Sequence, residues 1–399
     1  MTVVENSLWQ LLDQGVGRGL LFLFYACIPL LIGPDAYGSF AFVQAAMLVL
    51  VDPLMSLGLD LVVVREVARG SHMVVRPALF IRAVLIAATG LLAVAAGVMT
   101  HANTGVIVCL WVYLGLLSVE RLVFSYYRGI QWMKMEGIVG VLQKALALPI
   151  LGLLTVLGVS GAVLPAASLA LMACIGAAIM GSLYRRRLLE LFKRMRRSSD
   201  RPGPVPLLRE GVVLGLAALA SVVYFRIDSI MLGILADEKA VGMYCAAYRF
   251  MEATFIVPAM LTSAIFPRLA KATGSSATLR MAALGLAALA SIATVVTYVA
   301  AAPLIGALYG TAYVRAGRTL EVLAFTIAPV YVGFLLTQAM IAFEQQNAYL
   351  RLTAMGVALN VALNLLLIPG HREVGAAIAT LATEVAVVVT AAIWLRRPL

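Results

Sequence analysis

Polar residues along this chain are sparse and gathered into short clusters, and the stretches between the clusters are continuously apolar rather than alternating. An apolar run of about twenty residues is the length that crosses the hydrocarbon core of a bilayer as a helix. Only helices and closed barrels satisfy their backbone groups there, and the continuous patterning selects helices. The pattern predicts about twelve spans, at 11–32, 37–62, 78–99, 104–126, 137–157, 161–183, 210–235, 239–265, 280–303, 318–342, 350–369 and 374–395. The eighth is the least apolar, because it carries Arg249 and Glu252. The expected fold is an all-α polytopic membrane protein with two pseudo-symmetric six-helix lobes around a central cavity.

Composition agrees with that pattern. Hydrophobic residues make up 63% of the 399 and charged residues 12%, about half the usual share in soluble domains. The net charge of +11 would suit nucleic acid, but the basic residues fall where membrane insertion requires them. With the N-terminus in the cytoplasm, inner segments hold Arg65, Arg69, Arg76, Arg128, Lys134, Arg268, Lys271, Arg280, Arg351, Arg396, Arg397 and nine residues between Tyr184 and Arg209. Outer loops hold Lys239, Arg315, Arg318 and Arg372. This asymmetry sets orientation and puts both termini inside. The stretch YRRRLLELFKRMRRSSDRPGPVPLLR ends rich in Pro, Gly and Ser, as a linker does. It divides the chain into an N-terminal lobe, 1–184, a basic cytoplasmic linker, 185–209, that can sit against anionic lipid, and a C-terminal lobe, 210–399. Cys27, Cys109, Cys174 and Cys245 lie inside apolar runs and read as small buried residues rather than disulfide partners. No cleaved signal peptide is expected ahead of the first span.

The halves resemble each other. Gly15-x-x-x-Gly19 opens span one and Gly211-x-x-x-Gly215 opens span seven; the turn 33–38 corresponds to 236–242; Pro53 matches Pro258; Gly140 matches Gly356; Ser160-Gly161-Ala162 matches Val374-Gly375-Ala376. Six spans per half make a parallel repeat, a common transporter plan.

A charge inside the bilayer needs a partner or a wet cavity. Arg18 lies deep in span one among Gly15, Gly17 and Gly19. Arg226 and Arg249 lie at one level, about 15 Å below the outer turn at 1.5 Å per residue. Arg226 has no acid on its own helix face, which makes it a ligand candidate, whereas Arg249 and Glu252 are spaced to pair. Glu120 and Arg121 adjoin in an aromatic setting, and either a polar pair between helices or a substrate contact fits them. Asp228, Glu120 and Glu384 are candidates for ion coupling or for structural pairing. Arg82, Asp13 and Asp60, near inner ends, fit snorkelling or helix-end pairing. There is no GxxxxGK[ST] loop, and His72, His101 and His371 have no metal-ligand spacing. Nothing points to catalysis, a metal or a cofactor.

The run from Gly33-Pro34-Asp35-Ala36-Tyr37-Gly38 through Ser56-Leu57-Gly58-Leu59-Asp60 to Val64-Arg65-Glu66-Val67-Ala68-Arg69 resembles the start of Wzx-type polysaccharide-biosynthesis flippases. These belong to the multidrug/oligosaccharidyl-lipid/polysaccharide exporter superfamily. Asp228-Ser229-Ile230-Met231-Leu232-Gly233, Val241-Gly242-Met243-Tyr244, Ala247-Tyr248-Arg249 and Phe266-Pro267 resemble the start of that family's second half. Asn360, Asn364 and the run from Val374 to Thr380 and on to Glu384 resemble its last two spans. Leu30 stands where many relatives carry an arginine, which leaves Arg18 as the cation of span one.

The resemblance implies a bacterial inner-membrane flippase. It would move undecaprenyl-pyrophosphate-linked oligosaccharide outward by alternating access, among membrane lipid and other polysaccharide-assembly membrane proteins. Arg18, Arg226, Arg249 and Arg121 would bind the pyrophosphate. The alternative is a cation-coupled exporter of drugs or other small molecules in the same superfamily.

Overall fold

A computed structural model describes residues 5–6, 9, 12–99, 103–197, 204–271 and 276–396. The segment 198–203 of the expected linker, and His101, lie outside the described residues, as do the side chains of Phe266 and Pro267. The described chain is helical, without strands. After a π-helical turn at Asp13–Gly17 come α1 (Arg18–Leu50), α2 (Asp52–Ser56), α3 (Leu59–Ala68), α4 (Val75–Met99), α5 (Thr104–Gly129), α6 (Lys134–Ala145), α7 (Ala147–Val156) and α8 (Val163–Leu183). There follow α9 (Arg185–Arg197), α10 (Pro204–Leu235), α11 (Glu238–Thr254), α12 (Ile256–Lys271), α13 (Ser276–Tyr309), α14 (Val314–Ala324), α15 (Ile327–Ala342) and α16 (Gln346–Arg396).

Seven segments are long and apolar enough to cross a membrane, or eight if the pair 311–324 and 327–342, bent by 46°, forms one span. Two of the seven are 54 and 49 residues long, far more than the ~30 Å core needs at 1.5 Å per residue. Each is a hairpin. In α1 the backbone leaves helical geometry at Gly33, φ 73°, a value that costs glycine little. Beyond it, Gln44 Nε2 donates to Tyr25 Oη at 2.8 Å; in a straight helix these residues would stand about 28 Å apart. In α16 the break is at Arg372, φ 52°. The protein is a multi-pass membrane protein.

The chain packs into two compact units, one of Met1–Ile28 and Val43–Val222, the other of Pro29–Phe42 and Val223–Leu399. In the first, Leu59, Val63, Leu122, Tyr126, Met135 and Val139 form a core that also takes in Leu191 of the basic helix α9 and Leu207 of α10. The second span is broken at Leu57 and Gly58, both left-handed. Gly211 and Gly215 lie against that break so closely that a Cβ on either would meet the Leu57 backbone. Their sequence counterparts Gly15 and Gly19 have open space instead.

In the second unit, Gly38 and Gly242, matched positions of the repeat, pack backbone to backbone. The break between α11 and α12 frees the Thr254 carbonyl, which accepts from Tyr331 Oη at 2.9 Å. Asp237 caps α11 through the Ala240 N–H at 2.8 Å and pairs with Arg372.

Candidate functional site

The second unit gathers the polar side chains of α10, α11 and α16. Asp228, 5% exposed, accepts from Tyr244 Oη at 2.9 Å and from Asn364 Nδ2 at 2.5 Å, and Thr380 Oγ1 lies 3.1 Å from its Oδ2. Asn364 also donates to Asn360 Oδ1 at 2.8 Å, because the two are one helical turn apart on a single face. Asn364 and Thr380 reach one carboxylate only because α16 reverses at Arg372. No cation touches Asp228 among the described residues, and the Asn364 Oδ1 is buried without a hydrogen-bond partner. The result is a buried carboxylate ringed by oxygens and neutral donors. Such a ring suits a proton or a small cation.

Two residues from Asp228, on nearly the opposite face of α10, Arg226 reaches Glu252 of α11: Nη2 to Oε1 is 3.4 Å. Arg249 Nη1 holds the same carboxylate through Oε2 at 2.7 Å. Arg226 has no acid on its own helix face, and its partner comes from the neighbouring helix. Two guanidiniums share the Glu252 carboxylate in this partly buried cluster. Arg249 and Glu252 pair as their spacing predicts, but Asp228 is not part of that ionic network. Glu384 accepts from Tyr224 Oη at 2.7 Å, and the absent side chain of Gly356 makes room for the Tyr224 ring.

The first unit holds the remaining candidates. Arg121 forks onto Asp52 with both terminal nitrogens, the interhelical alternative of the two read from sequence, while its side chain stays 40% exposed. Its neighbour Glu120 is buried and unpartnered. Arg82 does not snorkel: it is fully buried, donating to Asp60 at 2.8 Å and to the Ser118 hydroxyl at 2.6 Å. Asp13 pairs with Lys144 at 2.6 Å. Arg18 is exposed and has no partner among the described residues. Tyr244, Asn360, Asn364 and Thr380 were not singled out as site residues from sequence, although the i,i+4 asparagines in an apolar span are a signal for a polar contact.

A family model described as polysaccharide biosynthesis protein matches residues 3–273. The chain belongs to the polysaccharide biosynthesis protein family. The resemblance drawn from the residues is thereby borne out, and solved structures extend it to the fold. The structure of a lipid II flippase, MurJ, in an inward closed conformation superposes with a TM-score of 0.70 at 11% identity, over 99% of this chain and 88% of that one. An inward-facing multidrug-resistance MATE transporter of the MOP superfamily superposes at 0.68 and 13% identity, over 99% and 94%. An outward-facing one superposes at 0.64 and 15%, over 98% and 94%. At these identities the likeness is one of fold. No curated protein sequence matches the chain.

Proposed function

We propose that this member of the family is a flippase for undecaprenyl-pyrophosphate-linked oligosaccharide, working by alternating access in the bacterial cytoplasmic membrane. The observation that carries this reading is the pair Arg226 and Arg249 on the single carboxylate of Glu252. Two guanidiniums gathered on one carboxylate in a low-dielectric setting favour a phosphate-bearing head group and lower the cost of moving it past lipid. In the first unit, Arg18, exposed and without a partner among the described residues, and Arg121, beside Asp52, are further candidate cations for the same head group. Family membership and the likeness to a lipid II flippase support the same substrate class. Asp228 is the coupling residue in this reading, with Glu384 as its second acid.

The chain makes twelve crossings with both termini cytoplasmic. Its halves, 1–184 and 210–399, are joined by the basic segment 185–209. The reading requires no cofactor, nucleic acid or catalytic step.

Reconstitution in liposomes with lipid-linked oligosaccharide, scored by access of an external glycan-binding probe, tests it. Transbilayer movement should appear, and Arg226→Gln and Arg18→Gln should each slow it by about tenfold, the worth of one charge-assisted hydrogen bond. No movement under any imposed ion gradient refutes the proposal. The second reading, a cation-coupled exporter of small molecules, is favoured by the MATE-like fold and by the acidic, oxygen-lined Asp228 site. It predicts movement of lipophilic cations in the same vesicles and none of the glycolipid.

A further inference from the structure

Inside the first unit, carboxylates and the cations that meet them do not balance. Within the apolar spans expected there, Asp13, Asp52, Asp60 and Glu120 are the acids; the bases, exposed Arg18 apart, are Lys144, Arg121 and Arg82. Lys144 holds Asp13, Arg121 holds Asp52 and Arg82 holds Asp60. Glu120 is the acid left over. It is 2% exposed, and neither of its carboxylate oxygens has a hydrogen-bond partner.

Among the described residues, no ion pair from the helices packed on α5 reaches Glu120. On α2 and α3, Asp52 and Asp60 are already paired, and on α4 Arg82 is spent on Asp60. On α6, Glu136 is taken by Arg128 and Lys144 by Asp13. On α8 there is no charged residue, and its Cys174 is exposed. On α5 itself, Tyr113 is the titratable neighbour besides Arg121. What α6 does supply is the Gln143 amide, which lies beside Glu120. Its Nε2 is likewise buried without a partner, and the amide fills the space left by the missing side chain of Gly176.

An ionised carboxylate without donors or a counter-charge is strongly disfavoured in such a place. A neutral acid is not, and it complements an amide: the acid O–H donates to the amide oxygen while the amide N–H donates to the acid carbonyl. A metal ion would need several oxygen ligands, and among the described residues no group of three or more His, Cys, Asp or Glu could hold one. We propose that Glu120 and Gln143 form a proton-binding site within the first unit, separate from the Asp228 cluster. Asp228 has Tyr244, Asn364 and Thr380 around it, whereas Glu120 has the one amide of Gln143 beside it, so the two acids play different parts. The inference does not depend on what the protein moves.

Infrared difference spectroscopy of the full-length protein in lipid nanodiscs tests it. Wild type minus Glu120→Gln, at a pH above about 6 where exposed carboxyls are ionised, should show one protonated-carboxyl C=O stretching band. Loss of an ionised-carboxylate band in that difference would overturn the proposal. Gln143→Leu gives an independent reading should Glu120→Gln not yield monodisperse protein. It should leave the acid protonated and move its band to higher frequency, and an unchanged carboxyl region would overturn the pairing.

Discussion

Glu252 decides whether Arg226 and Arg249 can coexist. Replacing it by Gln leaves two guanidiniums facing each other, so Glu252→Gln should cost about 1–3 kcal/mol of stability, read as a lower melting temperature in detergent. The same change should tighten binding of a short-chain polyprenyl pyrophosphate, because the cluster gains net positive charge. A variant that loses both stability and binding would make the cluster purely structural. Asp228 has the opposite character, a charge supported only by neutral donors. Asp228→Asn should leave the Arg226–Glu252–Arg249 cluster intact and abolish the dependence of transport on an imposed ion gradient, measured by the same vesicle assay.

Among the elements, the glycines separate into two kinds that sequence alone does not distinguish. Gly38 and Gly242 hold α1 and α11 backbone to backbone, and a methyl at either collides with main-chain atoms that have nowhere to go. Gly242→Ala should therefore destabilise by about 2 kcal/mol or more. Gly285, in α13, has nothing within 4 Å of the place a methyl would occupy, and Gly285→Ala should be neutral or stabilise by up to ~1 kcal/mol. Thermal unfolding of the two variants side by side checks both signs.

At the N-terminal end of α11, burial works against the Asp237 charge. The Arg372 guanidinium and the Ala240 N–H overcome that and hold its carboxyl below the ordinary aspartate range. Its support of the α10–α11 turn is therefore complete above the unfolded pKa of about 3.9 and lost as pH falls through the lower folded value. In Asp237→Asn the acid limb of the stability profile should flatten, and the N-cap should survive because Asn also caps.

For the whole molecule, the unequal distribution of Lys and Arg predicts sidedness, and substituted-cysteine labelling tests it. In a background lacking the four native cysteines, all free thiols, Lys239→Cys should react with an impermeant maleimide in intact cells. Lys193→Cys should react only after permeabilisation. The reverse pattern would invert the proposed topology.

The helical, membrane-spanning character and the turn at Gly33 were legible in the sequence because each rests on local chemistry: apolar length and the φ that glycine permits. The pairing of charges was legible only where partners share a helix, as Arg249 and Glu252 do at i,i+3. Arg226 with Glu252, Arg121 with Asp52, and Asp228 with Asn364 and Thr380 join different helices, and no spacing along the chain encodes them.

By itself, then, the sequence determined that this chain is a helical, multi-pass membrane protein, which ions it carries into the bilayer, and which family it resembles. Burial length and hydrogen-bond satisfaction act residue by residue and need no partner. The tertiary structure alone decided which of those ions are neutralised, because a salt bridge or a buried orphan depends on what a second helix brings within about 3 to 4 Å. That is why Arg226 found Glu252 on the next helix, Arg82 went inside, and Glu120 is left without an ion pair among the described residues.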